Sequence, residues 1–235
     1  MFHVGRLVMH SPNLLVWRGR DYIAGAVLEG KLLLKIIAVC TGNVCRSPLA
    51  EQLLSKSLAG LDVRVFSAGT RAREGMAMTK ETADVAVSYG ASAESVERHA
   101  AKTLTYESLA TVDLALAMAR EHRREIVELN PSLTRRTFTL RELSRLSAEI
   151  SDQALLAEAA LVPELSSPSS RLTAMLALVA SRRGTTFRPG GIEEDDIEDP
   201  YRRSLRTYER SAGQLTAALP PVERLIRLAL STSAA

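Results

Sequence analysis

Two cysteines and an arginine fall within seven positions of this chain, in the run Cys40-Thr41-Gly42-Asn43-Val44-Cys45-Arg46-Ser47-Pro48. A thiolate is a strong nucleophile. A guanidinium six residues on can bind two oxygens of a tetrahedral oxyanion side by side, which a lysine cannot reproduce. Gly42 and Asn43 tolerate left-handed backbone angles, so the main chain from Thr41 through Val44 and Cys45 to Arg46 can curl into a concave anion nest. In such a nest Cys40 is favoured as thiolate, and Ser47 can donate a hydrogen bond to the sulfur and help it leave. The chemistry these residues suit is phosphoryl transfer through Cys40. A cysteine and an arginine at this spacing also arise by chance, and a cysteine at a strand end often packs as a small hydrophobe. The setting of the run decides between these readings.

That setting is a strand, a tight loop and a helix. Leu32 to Val39 is a nearly continuous apolar run with β-branched members, as expected of a strand covered on both faces. Pro48 occupies a first helical position, and Leu49, Leu53, Leu54 and Leu58 form a stripe that stops at Gly60. Val63 to Ser67 reads as a second strand, followed by a loop marked by Gly69 and Gly75 and a helix from a Thr79 cap to Gly90. Asp113 to Met118 reads as a third strand, Arg120 to Leu129 as a helix stopped by Asn130-Pro131, and Arg136 to Leu140 as a fourth strand. The alternation predicts an α/β fold: a three-layer αβα arrangement around a four-stranded, mostly parallel sheet, with the phosphate-binding loop after the first core strand. Ligands of such sheets bind beyond the carboxyl ends of the strands.

Arg141 to Arg183 reads as two helices joined by a linker, a helical insertion at about 145–185. Gly184 to Pro200 reads as an acidic loop, and Arg202 to Leu219 as a helix that Pro220-Pro221 interrupts before a last apolar turn. The predicted organisation is an N-terminal extension over 1–31, of uncertain structure and unassigned function, and one domain over 32–235.

The 235 residues, 46% hydrophobic and 24% charged, are enough for a real core without metal or disulfide staples. A net charge of only +3 and 4% aromatics argue against a nucleic-acid binder. No stretch approaches the ~18 apolar residues of a membrane span, and no secretory leader is evident. Two cysteines five positions apart supply neither a disulfide framework nor a four-ligand zinc site, so reduced thiols in a cytoplasmic protein are expected, with no metal and no cofactor.

The run Cys40 to Pro48 resembles the loop of the low-molecular-weight protein tyrosine phosphatases, Cys-x-Gly-Asn-x-Cys-Arg-Ser-Pro. Ser67-Ala68-Gly69-Thr70, His99, Leu116-Ala117-Met118 and Ile197-Glu198-Asp199-Pro200-Tyr201 follow in the family's order. The resemblance covers about Leu32 to Leu219 and implies a two-step phosphomonoester hydrolysis. Cys40 attacks phosphorus, Asp199 protonates the leaving oxygen and then serves as base to a water, and Arg46 with the loop amides stabilises the phosphoryl oxygens without a metal. It further implies that His99 and Ser67 support the loop through Asn43. Asp195 and Asp196 read as solvated charges of the acid loop, either one a candidate secondary acid. Cys45 has two readings: a packed loop residue, or, as the resemblance suggests, the redox partner that captures an oxidised Cys40 in a reversible disulfide.

The chain departs from the family at the rim. Arg73 stands where an aromatic or leucine commonly walls the cleft, Lys102 where an arginine follows the histidine, and Ala119 where an acidic residue follows the methionine. Tyr201 remains to stack on a substrate ring. Arg71, Arg73, Arg202 and Arg203 suit an acidic phosphopeptide, or a substrate other than phosphotyrosine. The expected partner is a phosphorylated protein, phosphotyrosine first, or a small aryl phosphate; oligomeric state is not encoded. The alternatives are a thiol-dependent arsenate reductase, disfavoured by the lack of cysteines after Cys45 and by Asp199-Pro200-Tyr201, and a non-catalytic phosphate-binding module.

Overall fold

The computed structural model describes residues 33–163, 167–185 and 190–231. By its internal contacts the chain divides into Met1–Lys31 and Leu32–Ala235, and the N-terminal extension expected over 1–31 lies outside the described residues.

Four strands, β1 (Leu34–Cys40), β2 (Val63–Gly69), β3 (Leu114–Ala117) and β4 (Thr137–Thr139), form a sheet in the order β2-β1-β3-β4 with every pairing parallel. β1 is central, with Cys40 beside Gly69 of β2 and Val39 beside both Ala68 and Ala117. The side-chain period of two splits β1 between two cores. Leu34, Ile36, Ala38 and Cys40 face one side, and Ile37 and Val39 face the other.

The first face is covered by α1 (Arg46–Ser57), α2 (Lys80–Ser88), α6 (Leu140–Ala148), α7 (Asp152–Ala160), α8 (Pro168–Ser181) and α9 (Leu205–Leu230). The short helices α3 (Ala93–Glu97) and α4 (Tyr106–Leu109) lie in the connection from β2 to β3, and Leu109 of α4 joins Ile126 of α5 (Arg120–Leu129) and Leu133 of a 3-10 turn (Pro131–Arg136) on the second face. The result is the expected three-layer α/β fold.

Three details depart from the sequence reading. The segment taken as two helices is three, α6, α7 and α8. Ser151 caps α7 by accepting from the Ala154 N–H at 3.2 Å, and so restarts a helix inside what patterning reads as one run. Leu155 of α7 and Leu172, Leu176 and Val179 of α8 belong to the same core as the sheet. Second, α1 begins at Arg46, so Pro48 is its third residue rather than its first. Third, Pro220 and Pro221 do not interrupt α9, which runs unbroken from Leu205 to Leu230. Each interior proline costs roughly 3 kcal/mol. Burial of Val222, Leu225 and Ile226 beyond them, at roughly 1.5–3 kcal/mol each, offsets that cost.

At the sheet edge, Arg183 after α8 donates to the Thr137 carbonyl at 2.7 Å and to Glu142 at 2.9 Å, and its guanidinium lies 4.0 Å from the Phe138 ring centre. Among the described residues no helix is long and apolar enough to cross a membrane.

Candidate active site

The loop between β1 and α1 lies where the chain turns from β2 on one side of β1 to β3 on the other, the switch point at which α/β sheets bind ligands. Its carbonyls are taken up from outside. Thr70 N–H donates to Cys40 O (2.9 Å), Arg71 N–H to Thr41 O (2.9 Å), His99 Nε2 bonds Asn43 O (2.8 Å) and Thr79 N–H donates to Val44 O (3.1 Å). The peptides of the loop are trans, so each C=O and the following N–H point in opposite directions. The N–H groups of Thr41, Gly42, Val44 and Cys45 thereby point away from those partners, while the Asn43 N–H donates to Cys40 Sγ at 3.3 Å.

Asn43 is the one left-handed residue of the loop, with φ 54°. Its side chain is fully buried and committed: Nδ2 donates to Ser47 Oγ (3.0 Å) and Ser67 Oγ (2.7 Å), and Oδ1 accepts from the Lys102 N–H (2.8 Å). Gly42, expected to share the left-handed geometry, does not adopt it. The demanding glycine is Gly69 at the end of β2, where a Cβ would come within 2.5 Å of Thr41 O and 2.9 Å of Asn43 N. Its lack of a side chain lets β2 press against the loop.

Cys40 Sγ is 3.0 Å from Ser47 Oγ, whose single hydrogen can go to that sulfur or to Ala68 O at 3.3 Å. Arg46, 4% exposed, donates through Nη1 to Ile197 O (3.1 Å) and pairs through Nη2 with Asp199 Oδ2 (2.8 Å). Its Nε is buried with no hydrogen-bond partner among the described residues, a donor suited to an oxyanion. Asp199 is half exposed and accepts from the Tyr201 N–H at 3.2 Å. A cleft of about 210 Å³ is lined by Cys40, Arg46, Arg73, Met76, Asp199 and Tyr201, with Thr41, Gly42, Val44, Cys45 and Arg71 completing its wall. Arg202 stacks 5.1 Å from the Tyr201 ring centre, and Arg71 pairs with Glu125 at 2.7 Å.

Asp195 and Asp196 are not the solvated charges expected of them. Asp195 is buried against Arg145 (3.1 Å), and Asp196 accepts from the Arg120 backbone N–H (2.7 Å) and pairs with its guanidinium (2.9 Å). Ile197 N–H donates to Met118 O (2.9 Å), and Glu198 pairs with Arg210 (2.8 Å), so ion pairs and a main-chain bond pin the segment that carries Asp199. Both aspartates hold the loop, and neither is placed as an acid. A second hollow of about 500 Å³ is lined by Arg141, Ser144, Arg145, Glu194, Asp195 and Gln214, with no cysteine or histidine among its lining residues.

Cys45 Sγ is buried, 3.6 Å from Thr79 Oγ1, and burial pushes its thiol pKa up against hydrogen bonds from Thr82 and Thr79 that lower it. Two further residues escape sequence reasoning. Glu51 of α1 accepts from Ser67 Oγ at 2.5 Å, extending the Asn43 network. His122, 1% exposed, places Nε2 2.9 Å from Thr41 Oγ1. Burial, with Arg46 nearby, lowers its pKa to about 3, so it is neutral. The signal for His122 is faint: with Ile126, four residues on, it forms the buried stripe of a helix otherwise full of charge. No three His, Cys, Asp or Glu side chains converge as a metal site among the described residues.

A thiol beside a hydroxyl, at the floor of a ring of main-chain donors, with a guanidinium and a carboxylate above it, can bind a tetrahedral oxyanion and exchange a phosphoryl group. Comparison with known proteins accords with this. The family model "Low molecular weight phosphotyrosine protein phosphatase" matches residues 35–153. The low molecular weight protein-tyrosine-phosphatase Etp of Escherichia coli K12 is 41% identical over 103 residues, 44% of this chain and 66% of Etp. The probable low molecular weight protein-tyrosine-phosphatase EpsP of Ralstonia solanacearum is 34% identical over 174 residues, 74% of this chain and 83% of EpsP. Among solved structures, the YwlE arginine phosphatase of Geobacillus stearothermophilus superposes with a TM-score of 0.56 at 25% identity, covering 83% of this chain and 93% of that one.

Proposed function

Because the chain belongs to the low molecular weight phosphotyrosine protein phosphatase family, we propose that it hydrolyses phosphomonoesters, protein phosphotyrosine foremost, through a phosphocysteine on Cys40. The observation that carries the reading is the convergence of Cys40, Arg46 and Asp199 on one cleft, with Arg46 tying the acid loop to the phosphate nest at 2.8 Å.

The Cys40 thiolate attacks phosphorus as the P–O ester bond breaks, and the Asp199 carboxyl gives its proton to the leaving oxygen. A water then attacks the phosphocysteine, Asp199 takes its proton, and the S–P bond breaks with Ser47 hydrogen-bonding the departing sulfur. Main-chain N–H groups and the Arg46 guanidinium stabilise the equatorial oxygens in both steps. Asn43, with Ser67, His99 and Glu51 behind it, holds the N–H groups in place.

Relatives are named as protein-tyrosine-phosphatase and as arginine phosphatase. The cleft wall favours an aryl ester: the Tyr201 ring, 38% exposed, stands with Met76 and Val44 as an apolar surround for a phenol ring, while Arg71 and Arg73 suit acidic flanking residues.

The test is turnover of para-nitrophenyl phosphate, with phosphotyrosyl peptide, phosphoarginyl peptide and arsenate in parallel. Cys40→Ser should be inactive, and Asp199→Ala should lose about 10²–10⁴-fold. A higher kcat/KM on phosphoarginine than on phosphotyrosine overturns the substrate assignment, and arsenate reduction without ester hydrolysis overturns the reaction.

A further inference from the structure

We propose that His122 is a positioning residue that, by donating to the Thr41 hydroxyl, leaves that hydroxyl's own hydrogen to be given to a bound tetrahedral oxyanion. The inference rests on the reading of the cleft as an oxyanion site and adds a side-chain donor to its main-chain ones.

Thr41 directly follows the nucleophile and lines the cleft, and its Oγ1 lies 2.9 Å from His122 Nε2. A hydroxyl has one hydrogen and two lone pairs, so the direction of this bond decides what Thr41 offers the cleft. If Nε2 accepts, the threonine hydrogen is spent on the imidazole. If Nε2 donates, the hydrogen is free. Glu121 Oε1 is 3.4 Å from the same nitrogen, and a carboxylate there favours the tautomer with its hydrogen on Nε2. The ring stays neutral at working pH because burial disfavours its cation. Its Nδ1 is buried without a hydrogen-bond partner among the described residues, a cost that a leucine or phenylalanine filling the same space would not carry. The imidazole is therefore a poor choice for packing alone and a good one for holding Thr41.

Tungstate, a tetrahedral oxyanion that needs no turnover, reads the effect by calorimetry. Thr41→Val should bind it about 10–100-fold more weakly, the scale of a lost hydrogen bond to a charged group. His122→Leu should weaken it about 3–10-fold, and Thr41→Val with His122→Leu together should bind no worse than Thr41→Val alone. His122→Gln, whose amide nitrogen can stand near the position of Nε2, should restore binding to within about twofold. Additive losses, an unaltered Thr41→Val, or a His122→Gln as weak as His122→Leu would overturn the proposal. The wild-type ring gives a readout that needs no variant to fold: ¹⁵N shifts should report the neutral Nε2–H tautomer, and an Nδ1–H tautomer overturns the inference. Para-nitrophenyl phosphate turnover on the same proteins separates the two claims. The tungstate pattern without turnover sinks the hydrolase and keeps the positioning role, and turnover with Thr41→Val unaltered does the reverse.

Discussion

At the scale of single residues the site depends on one backbone angle. Asn43 holds φ 54° with side-chain bonds to Ser47, Ser67 and Lys102. An alanine there would keep the strain, about 1–3 kcal/mol, without those ties. We expect Asn43→Ala to fold with a lower Tm and to lose at least about tenfold in kcat/KM, while Asn43→Gly keeps the angle and loses less; equal losses would show that the angle is not what matters. His122 supplies a pH prediction. Its folded pKa, about 3, lies below the usual value of 6.5, so the unfolded chain binds the proton more tightly. Its contribution is therefore intact above about pH 6.5 and is lost as pH falls toward 3, on the order of a few kcal/mol over that window. Denaturant melts between pH 7 and 4 should show stability declining with acidity, and His122→Gln should flatten the decline. Cys40, Arg46 and Ser47 were legible because their spacing along the chain is their spacing in the site. His122 was not: its partner Thr41 is 81 residues away, and only the fold brings them together.

At the scale of elements, the acid loop is the piece that local reading misjudged. Asp195 and Asp196 look like surface charge because their partners, Arg145 and Arg120, sit 50 and 76 residues away on α6 and at the start of α5. Removing the clamp should release Asp199 without touching the nucleophile. Asp196→Asn is expected to lower kcat several-fold while binding of vanadate, held by the loop donors and Arg46 rather than by Asp199, is unchanged; a parallel loss of vanadate affinity would contradict that division. In α9, the sequence reading ended the helix at Pro220-Pro221 on the cost of interior proline, which the buried Val222, Leu225 and Ile226 beyond them offset. Pro221→Ala should stabilise by roughly 1–3 kcal/mol, read as a higher Tm with unaltered turnover.

At the scale of the molecule, strand and helix alternation disclosed the α/β class because each element's periodicity is local, and the parallel order followed from it. The anchorage of α7 and α8 was less legible. Apolar patterning marks Leu155, Leu172 and Leu176 as buried but does not say against what, and they lie in the core that carries β1. Leu176→Ala should therefore cost about 2–5 kcal/mol and lower one cooperative transition for the whole domain, whereas separate melting of insertion and sheet would show that it is an independent unit. Arg183, just after α8, has a consequence of its own. β4 ends the sheet, and an uncovered terminal strand is a template on which a second molecule can zip itself. By occupying the Thr137 carbonyl and roofing the Phe138 ring, Arg183 spoils that template. A charge placed just after α8 thus sits over the open side of the sheet.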